Sequence, residues 1–515
     1  MQLQDAQQAA SASRTQETSR QVLEKLRGKK LIITPDALTF LLAQDHPAGL
    51  ADRIISNPPG VFVTKANVQD VLSDLASMQK AKEIIVKHAI EYRPPAADAP
   101  PQLKIREEED VTGKGTCTGK VEDFVELFRD RLRRTSRLLK GRASEAALVP
   151  LAALKSQADR RKMRVIGMVR DRRTTKNGFT IIEIEDEETL QACLLPKDAP
   201  ASLATAAEDL VRDEVIAFDG VMSGSLFIIK DITWPEMPFR PLKTIAEDLS
   251  VAFISDTQVG SKLFLQKQFT AFLEFLNGKA ERPEHREAAG KIKYLLVAGD
   301  VVDGVGIYPS QERELATKDV YTQFEIFAEF VKNIPAHVEV IIGPGNHDPV
   351  RNAQPRPRIL QEFSRELEKL GNVHFVGDPA WLELHGFKTL MFHGDGFYTM
   401  TSAMSRLSNA HLHPETVAVE MLKRRHLCPP YGDNPIVPEK RDYLFISEPP
   451  DIVHFGHVHR NGYANYRGTM IVNSGTWQDA TDYILKQGHE PTPCQLPLYN
   501  LKTASLNVIN FKEAV

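Results

Sequence analysis

Five short apolar runs in the second half of the chain, SVAFIS, IKYLLVAGD, VEVIIGPGN, KTLMFHGD and DIVHFGH, each lead into Asp, Asn or His. This pattern limits the fold more than any other feature. Such runs have the character of strands buried on both faces. Helical stretches such as DVYTQFEIFAEFVKN alternate with several of them, which predicts an α/β layered domain over residues 246–515. Folds of this class hold ligands in the crevice beyond the strand ends. The residues arriving there are Asp256-Thr257-Gln258, Gly299-Asp300-Val301-Val302-Asp303, Gly345-Asn346-His347-Asp348, His393-Gly394-Asp395 and Gly456-His457-Val458-His459. One histidine at a strand end is more often a satisfied structural residue than a ligand. Five groups of Asp, Asn and His, four of them beside glycine, point instead to a metal centre. No GxGxxG or GxxxxGK(S/T) follows these strands, so no phosphate-cradling nucleotide loop is expected.

The chemistry that suits this set is phosphoester cleavage. Two divalent cations about 3.5–4 Å apart clamp the attacking and leaving oxygens of an in-line displacement, and they need a bridging anion among oxygen and imidazole ligands. Asp300 is the candidate bridge and Asn346 offers an amide oxygen. His347 is a candidate proton donor to a leaving alkoxide, with Asp348 beside it to hold the imidazole in register.

The rest of the 515 residues is organised differently. A chain of this length supports two to four cores at roughly 100–200 residues each. Residues 1–20, rich in Gln, Ala and Ser, are expected to be a disordered tail. Residues 21–92 carry short amphipathic stretches between Pro and Gly breaks and predict a small helical domain. Residues 93–118, with four prolines and an acidic run, predict a flexible linker. Within 119–245 an amphipathic helix from Val121 precedes five β-type runs, which suggest a Greek-key barrel of the OB type. Its aromatics Phe179, Phe218, Phe227 and Trp234 suit packing at least as well as base stacking. Arg129, Arg131, Arg133, Arg134 and Arg137 on the helix read more readily as a solvated face than as a nucleic-acid site. Lys plus Arg (64) nearly balances Asp plus Glu (68), so attraction to a polyanion must come from a local patch. Four scattered cysteines, no apolar leader and no long apolar run predict a soluble intracellular protein without a membrane segment.

The five motifs, in order and strand context, resemble those of calcineurin-like metallophosphoesterases across most of residues 250–480. The resemblance implies one metal held by Asp256, Gln258, Asp300 and His459, and a second by Asp300, Asn346, His393 and His457. It makes His347 the transition-state stabiliser or acid, paired with Asp348. The wider layout, with SDTQVGS, VDGVGIYPSQE, GPGNHDPVRNAQP, MLKRRHLCPPYG, PDIVHFGHVH and NSGTWQ, closely resembles the small subunits of archaeal family D DNA polymerases. That family implies a 3′→5′ proofreading exonuclease, typically manganese-dependent with magnesium as the alternative. It implies a large catalytic subunit docked on the barrel and phosphoesterase domains, primer–template or single-stranded DNA as substrate, and an archaeal cytoplasmic, nucleoid-associated setting. The sliding clamp and primase are candidate partners for the N-terminal domain.

One position departs from the family pattern. Gln258 stands where the first motif normally has histidine, and an amide oxygen is a weaker donor than imidazole toward transition metals. Two readings follow: a nuclease with altered metal affinity, favoured because the other ligands remain, or a structural subunit that has lost turnover. A free-standing phosphodiesterase would have little use for the N-terminal domain. Candidate DNA contacts are Lys423, Arg424 and Arg425 between the fourth and fifth motifs, and Arg351 with Arg356 and Arg358 after the third. Tyr308 is a candidate for stacking on a terminal base.

Overall fold

The computed structural model describes residues 16–82, 93–157, 161–486 and 488–513. The chain divides into two compact units. One holds the described residues up to 82 together with 259–264 and 302–333; the other holds those from 93 to 258, 265–301 and 334 onward.

In the first unit, residues 16–28 and helices Pro35–Leu42, Pro47–Ser56 and Lys65–Lys82 enclose Val22, Leu26, Leu41, Leu50, Ile54 and Val68. Proline opens two of these helices, where its missing N–H costs nothing. Strand β1 (Ile32–Ile33) pairs in parallel with β2 (Phe62–Val63). Residues 1–15 of the expected tail lie outside the described residues, and helix is already present from residue 16. Burial of Val22 and Leu26 four residues apart anchors that polar first turn. Helix Val320–Val331 packs on Lys65–Lys82, and its N-cap Asp319 accepts from Tyr321 and Thr322 backbone N–H.

The second unit begins with a correction. Residues 93–118, expected as a flexible linker, contain strand β3 (Leu103–Ile105), which pairs antiparallel at a sheet edge with residues 382–384. Arg106 pairs with Glu383 at 2.7 Å and with Glu448, and buried Asp110 accepts Gly377 N–H at 2.7 Å. Backbone pairing and ion pairs with distant residues hold a segment whose own apolar content could not.

Helix Val121–Lys140 and the short strand β4 (Ala147–Leu148) lead into β5 (Met163–Thr174), β6 (Thr180–Glu185), β7 (Leu190–Leu195), β8 (Val215–Ser223) and β9 (Leu226–Thr233). The long β5 pairs with β6 through its second half and with β8 through its first, closing a five-stranded barrel in the order β5-β6-β7-β9-β8. Phe218, Phe227 and Trp234 are buried in its core, so these aromatics pack.

The remaining strands are β10 (Ser250–Ile254), β11 (Ile292–Ala298), β12 (Glu339–Gly343), β13 (Val373–Phe375), β14 (Ala380–Leu384), β15 (Phe387–Met391), β16 (Ile452–Phe455), β17 (Asn461–Tyr466), β18 (Thr469–Ser474), β19 (Gln495–Asn500) and β20 (Ser505–Asn510). They form two six-stranded sheets, β13-β12-β11-β10-β19-β20 and β17-β18-β16-β15-β14-β3. Side chains from both sheets, among them Val251, Phe253, Leu296, Leu382, Met391, Ile452 and Val472, share one core, so the sheets stack as a sandwich. Helices Gly396–Ala403 and Glu415–Arg424 cover the outer face of the second sheet through Phe397, Met400 and Met421. The runs ending in the five motifs are β10, β11, β12, β15 and β16. Within each sheet these strands are parallel neighbours, so β10, β11 and β12 deliver their ends to one edge, as do β15 and β16.

Two expectations about charge change here. Arg131 of helix Val121–Lys140 is buried against Asp442 at 2.7 Å, and Arg134 lies over the Phe445 ring at 4.2 Å. They dock the helix on the sandwich, while Val121, expected on the apolar face, is 76% exposed. The Lys423-Arg424-Arg425 run does not form an open basic patch either. Arg424 is fully buried and pairs with Glu214 at 3.0 Å and with Glu420. Arg425 is buried, its Nη2 donating to Ser447 O, and Lys423 Nζ lies 3.9 Å over the Trp234 ring. The run joins barrel to sandwich.

Candidate metal centre

Glycine lets these strand ends meet. A Cβ on Gly345 would lie 2.1 Å from Asp300 Oδ1, and one on Gly456 would lie 2.4 Å from Asp256 Oδ2. The loops therefore close around the carboxylates only with hydrogen at those positions. Five residues of the centre adopt left-handed backbone: Asp256 (φ 49°), Gln258 (50°), Asp300 (51°), His457 (71°) and His459 (54°). Asp and His tolerate that region better than most side chains, yet such strain persists only where surrounding structure enforces it. The enforcing bonds are visible: Asp256 N–H donates to Gly299 O, Gln258 N–H to Asp300 O and His457 N–H to Asp256 Oδ2.

The side chains converge. One ligand atom each from Asp256, Asp300 and His393 lie within 4.8 Å of one another. His393 Nε2 is 2.9 Å from Asn346 Oδ1, 3.2 Å from His457 Nδ1 and 3.4 Å from Asp300 Oδ2. His459 Nε2 is 3.3 Å from Asp256 Oδ1. His393 Nδ1 lies 2.9 Å from Ala298 O, and a carbonyl only accepts, so this nitrogen carries the hydrogen. In the neutral ring the Nε2 lone pair then faces the other acceptors, as in a metal-ligating histidine fixed by a carbonyl behind it. Acceptors gathered this way require a positive charge among them, either a proton on His393 or a metal cation. Burial opposes charge on Asp300, but the His393 and His347 rings outweigh it and hold the carboxyl well below the usual range. Burial likewise opposes charge on His393, and Asp300 outweighs it, raising the imidazole well above its ordinary value.

Asp256 Oδ1 and Gln258 Oε1 are buried without a hydrogen-bond partner, so the donor set fits an oxygen-loving cation. Gln258 donates through Nε2 to Asp300 Oδ2 at 3.1 Å. In this orientation it competes with a cation for the carboxylate; turning the amide over would present Oε1 instead. Asn346, His347 and His457 are the half-exposed members, above buried Asp256, Gln258, Asp300 and His393. His347 N–H donates to Asp300 Oδ1 at 2.8 Å and its Nε2 is 3.9 Å from Oδ2. Asp348 accepts from Gly345 N–H at 2.8 Å and Val301 N–H at 3.1 Å, tying the loop after β12 to the loop after β11.

The sequence reading brought these residues together but missed their support. Arg356, read as a phosphate guide, is fully buried and donates to Asp378 at 3.0 Å and to both oxygens of Asp395 at 2.6 Å. Asp378 in turn accepts His393 N–H at 2.8 Å. Burial pushes both carboxyls up; bidentate Arg356 outweighs it at Asp395, while Asp378 stays above its ordinary value. Asp395 in the His-Gly-Asp motif was the available signal. Arg351 pairs with Glu439 at 3.1 Å, and Tyr308 donates to Glu314 at 2.9 Å. No helix among the described residues is long and apolar enough to cross a membrane.

Comparison with known proteins adds a family context. The family of the B-type subunits of DNA polymerases alpha and epsilon matches residues 251–462. The DNA polymerase II small subunit of Methanocaldococcus jannaschii is 40% identical over 409 residues, covering 79% of this chain and 68% of the relative. That of Archaeoglobus fulgidus is 35% identical, covering 87% and 89%, and that of Methanothermobacter thermautotrophicus is 33% identical, covering 93% and 98%.

Proposed function

Because the chain belongs to the family of archaeal DNA polymerase II small subunits, we propose that it works beside a large catalytic subunit as a metal-dependent 3′→5′ exonuclease of DNA. The observation that carries this reading is the mutual approach of Asp256, Asp300 and His393, with acceptor atoms turned toward one another. Asp256, Gln258, Asp300 and His459 would hold one divalent cation, and Asp300, Asn346, His393 and His457 the other, as in calcineurin-like phosphoesterases. Mn²⁺ or Mg²⁺ suits this oxygen-rich set. When bound, the pair supplies the positive charge that attacking and leaving oxygens of an in-line displacement need.

The protein's own groups do the rest. His347, half-exposed above Asp300, is the proton donor to the leaving 3′ oxygen. Asp348 fixes the loop that carries His347 and Asn346. Asp378, backed by Arg356, holds the His393 backbone in place.

Gln258 favours a second reading, a subunit that keeps the fold and scaffolds the large subunit without turnover. The deciding measurement is Mn²⁺-dependent nucleotide release from a 3′-mismatched primer, with and without the large subunit, beside Asp300→Asn. Release that disappears with Asp300→Asn is expected. Absence of release from a folded complex overturns the nuclease reading and leaves the scaffold.

A further inference from the structure

A row of rings runs outward from the metal centre. His393 packs edge-on against His457 with centroids 4.9 Å apart, and His457 against Tyr398 at 5.5 Å. Tyr398 then meets His489 at 5.7 Å, and His489 meets His411 at 5.3 Å. Tyr398 is 39% exposed, and His489 and His411 are half-exposed, so the row presents aromatic surface beside the half-exposed rim formed by Asn346, His347 and His457.

The row comes from three separate segments that are tied together. Tyr398 sits in helix Gly396–Ala403, directly after the His-Gly-Asp motif, which fixes it relative to His393. The loops bearing His411 and His489 are clamped by one side chain. Arg460, the residue after His459, donates through Nε to Leu412 O at 3.2 Å and through Nη1 to Glu490 O at 2.8 Å. Thr492 N–H donates to His459 O at 2.9 Å. The fifth motif thus positions both the last metal ligand and the wall beside it.

We propose that Tyr398, His489 and His411 form a base-stacking wall that seats the terminal nucleotides of a single DNA strand, with Arg460 as its positioning residue. This rests on the nuclease reading for the identity of the ligand as a DNA 3′ end. Phenol and imidazole rings accept any nucleobase face, and stacking on such rings is sequence-tolerant. An unpaired end can reach the wall, whereas a paired end keeps its bases stacked in the duplex. The wall therefore selects a frayed or mismatched terminus by exposure of its bases, without reading their identity.

The test uses the complex with the large subunit and a short oligonucleotide whose last linkage is a phosphorothioate that resists cleavage. One version ends in 2-aminopurine and another in an abasic site. Binding should change 2-aminopurine fluorescence, and the strand with a terminal base should bind about tenfold more tightly than the abasic one. Tyr398→Ala with His489→Ala should remove that difference, while Tyr398→Phe keeps it. His489→Ala alone, in a surface loop, should reduce it and guards against loss of fold. Equal discrimination by the double variant and the unaltered complex overturns the proposal. Stacking without hydrolysis of an ordinary linkage leaves the wall standing and removes the nuclease reading; hydrolysis with no preference for a terminal base does the reverse.

Discussion

Gln258 is held at φ 50°, with its amide nitrogen toward Asp300 and its oxygen buried without a partner. Its neighbours Asp256 and Asp300 hold similar strained backbone. Each such residue costs of order 1–3 kcal/mol, so the rest of the fold keeps this loop shape whichever side chain stands at position 258. A ligand can therefore be exchanged there without rebuilding the loop. Gln258→His replaces a competing amide with an imidazole, and we expect Mn²⁺ affinity measured by titration calorimetry to rise by about tenfold or more. An unchanged affinity would mean that position 258 does not face the cation. The five motif groups were legible in the sequence because each ligand sits within two or three residues of its strand. Arg356 was misread because its charge looked exposed in a polar loop, whereas Asp378 and Asp395, 22 and 39 residues away, bury it.

At the scale of elements, helix Glu415–Arg424 carries the clearest case of charge changing meaning. Arg424 is buried between Glu214 of the barrel and Glu420 of its own helix. Burial pushes the Glu214 carboxyl up and Arg424 pulls it back. Arg424→Leu strands two buried carboxylates, with an expected cost of about 3–5 kcal/mol in the denaturant midpoint. Adding Glu214→Gln and Glu420→Gln should restore much of it. If Arg424 instead served DNA, Arg424→Leu would weaken binding and leave the midpoint in place. The strand at Leu103–Ile105 was equally hidden, since its order comes from pairing with β14 about 280 residues later. The barrel strands were plain, because alternation along a strand and turn residues between strands are local signals.

For the whole molecule, the two units carry opposite acid responses. In the first, burial raises Asp74 to about 7, with the Lys318 N–H bond opposing. Its folded value lies above the ordinary 3.8, so its stabilisation is complete below about 4 and is lost as pH rises through 7. In the second, burial lowers His426 to about 4 and His454 to about 3. Their folded values lie below 6.5, so that stabilisation is present above 6.5 and is lost as pH falls through 4 and 3. Between pH 7.5 and 5, amide protection in Lys65–Lys82 should rise while that in β16 falls, each on the order of 1 kcal/mol. Asp74→Asn should flatten the first trend. Protection moving the same way in both elements would contradict these assignments.

The sequence by itself determined the barrel strands, the layered sandwich and the residues gathered at its strand ends, because strand periodicity and the motif following each strand lie within a few residues of one another. Only the tertiary structure decided which charges are ligands, which are buried ties and which face solvent. Arg131 finds Asp442, Arg424 finds Glu214 and Arg106 finds Glu383, each across more than 200 residues of chain. Solvation of a charge depends on what surrounds it in space, and composition along the chain carries no record of that.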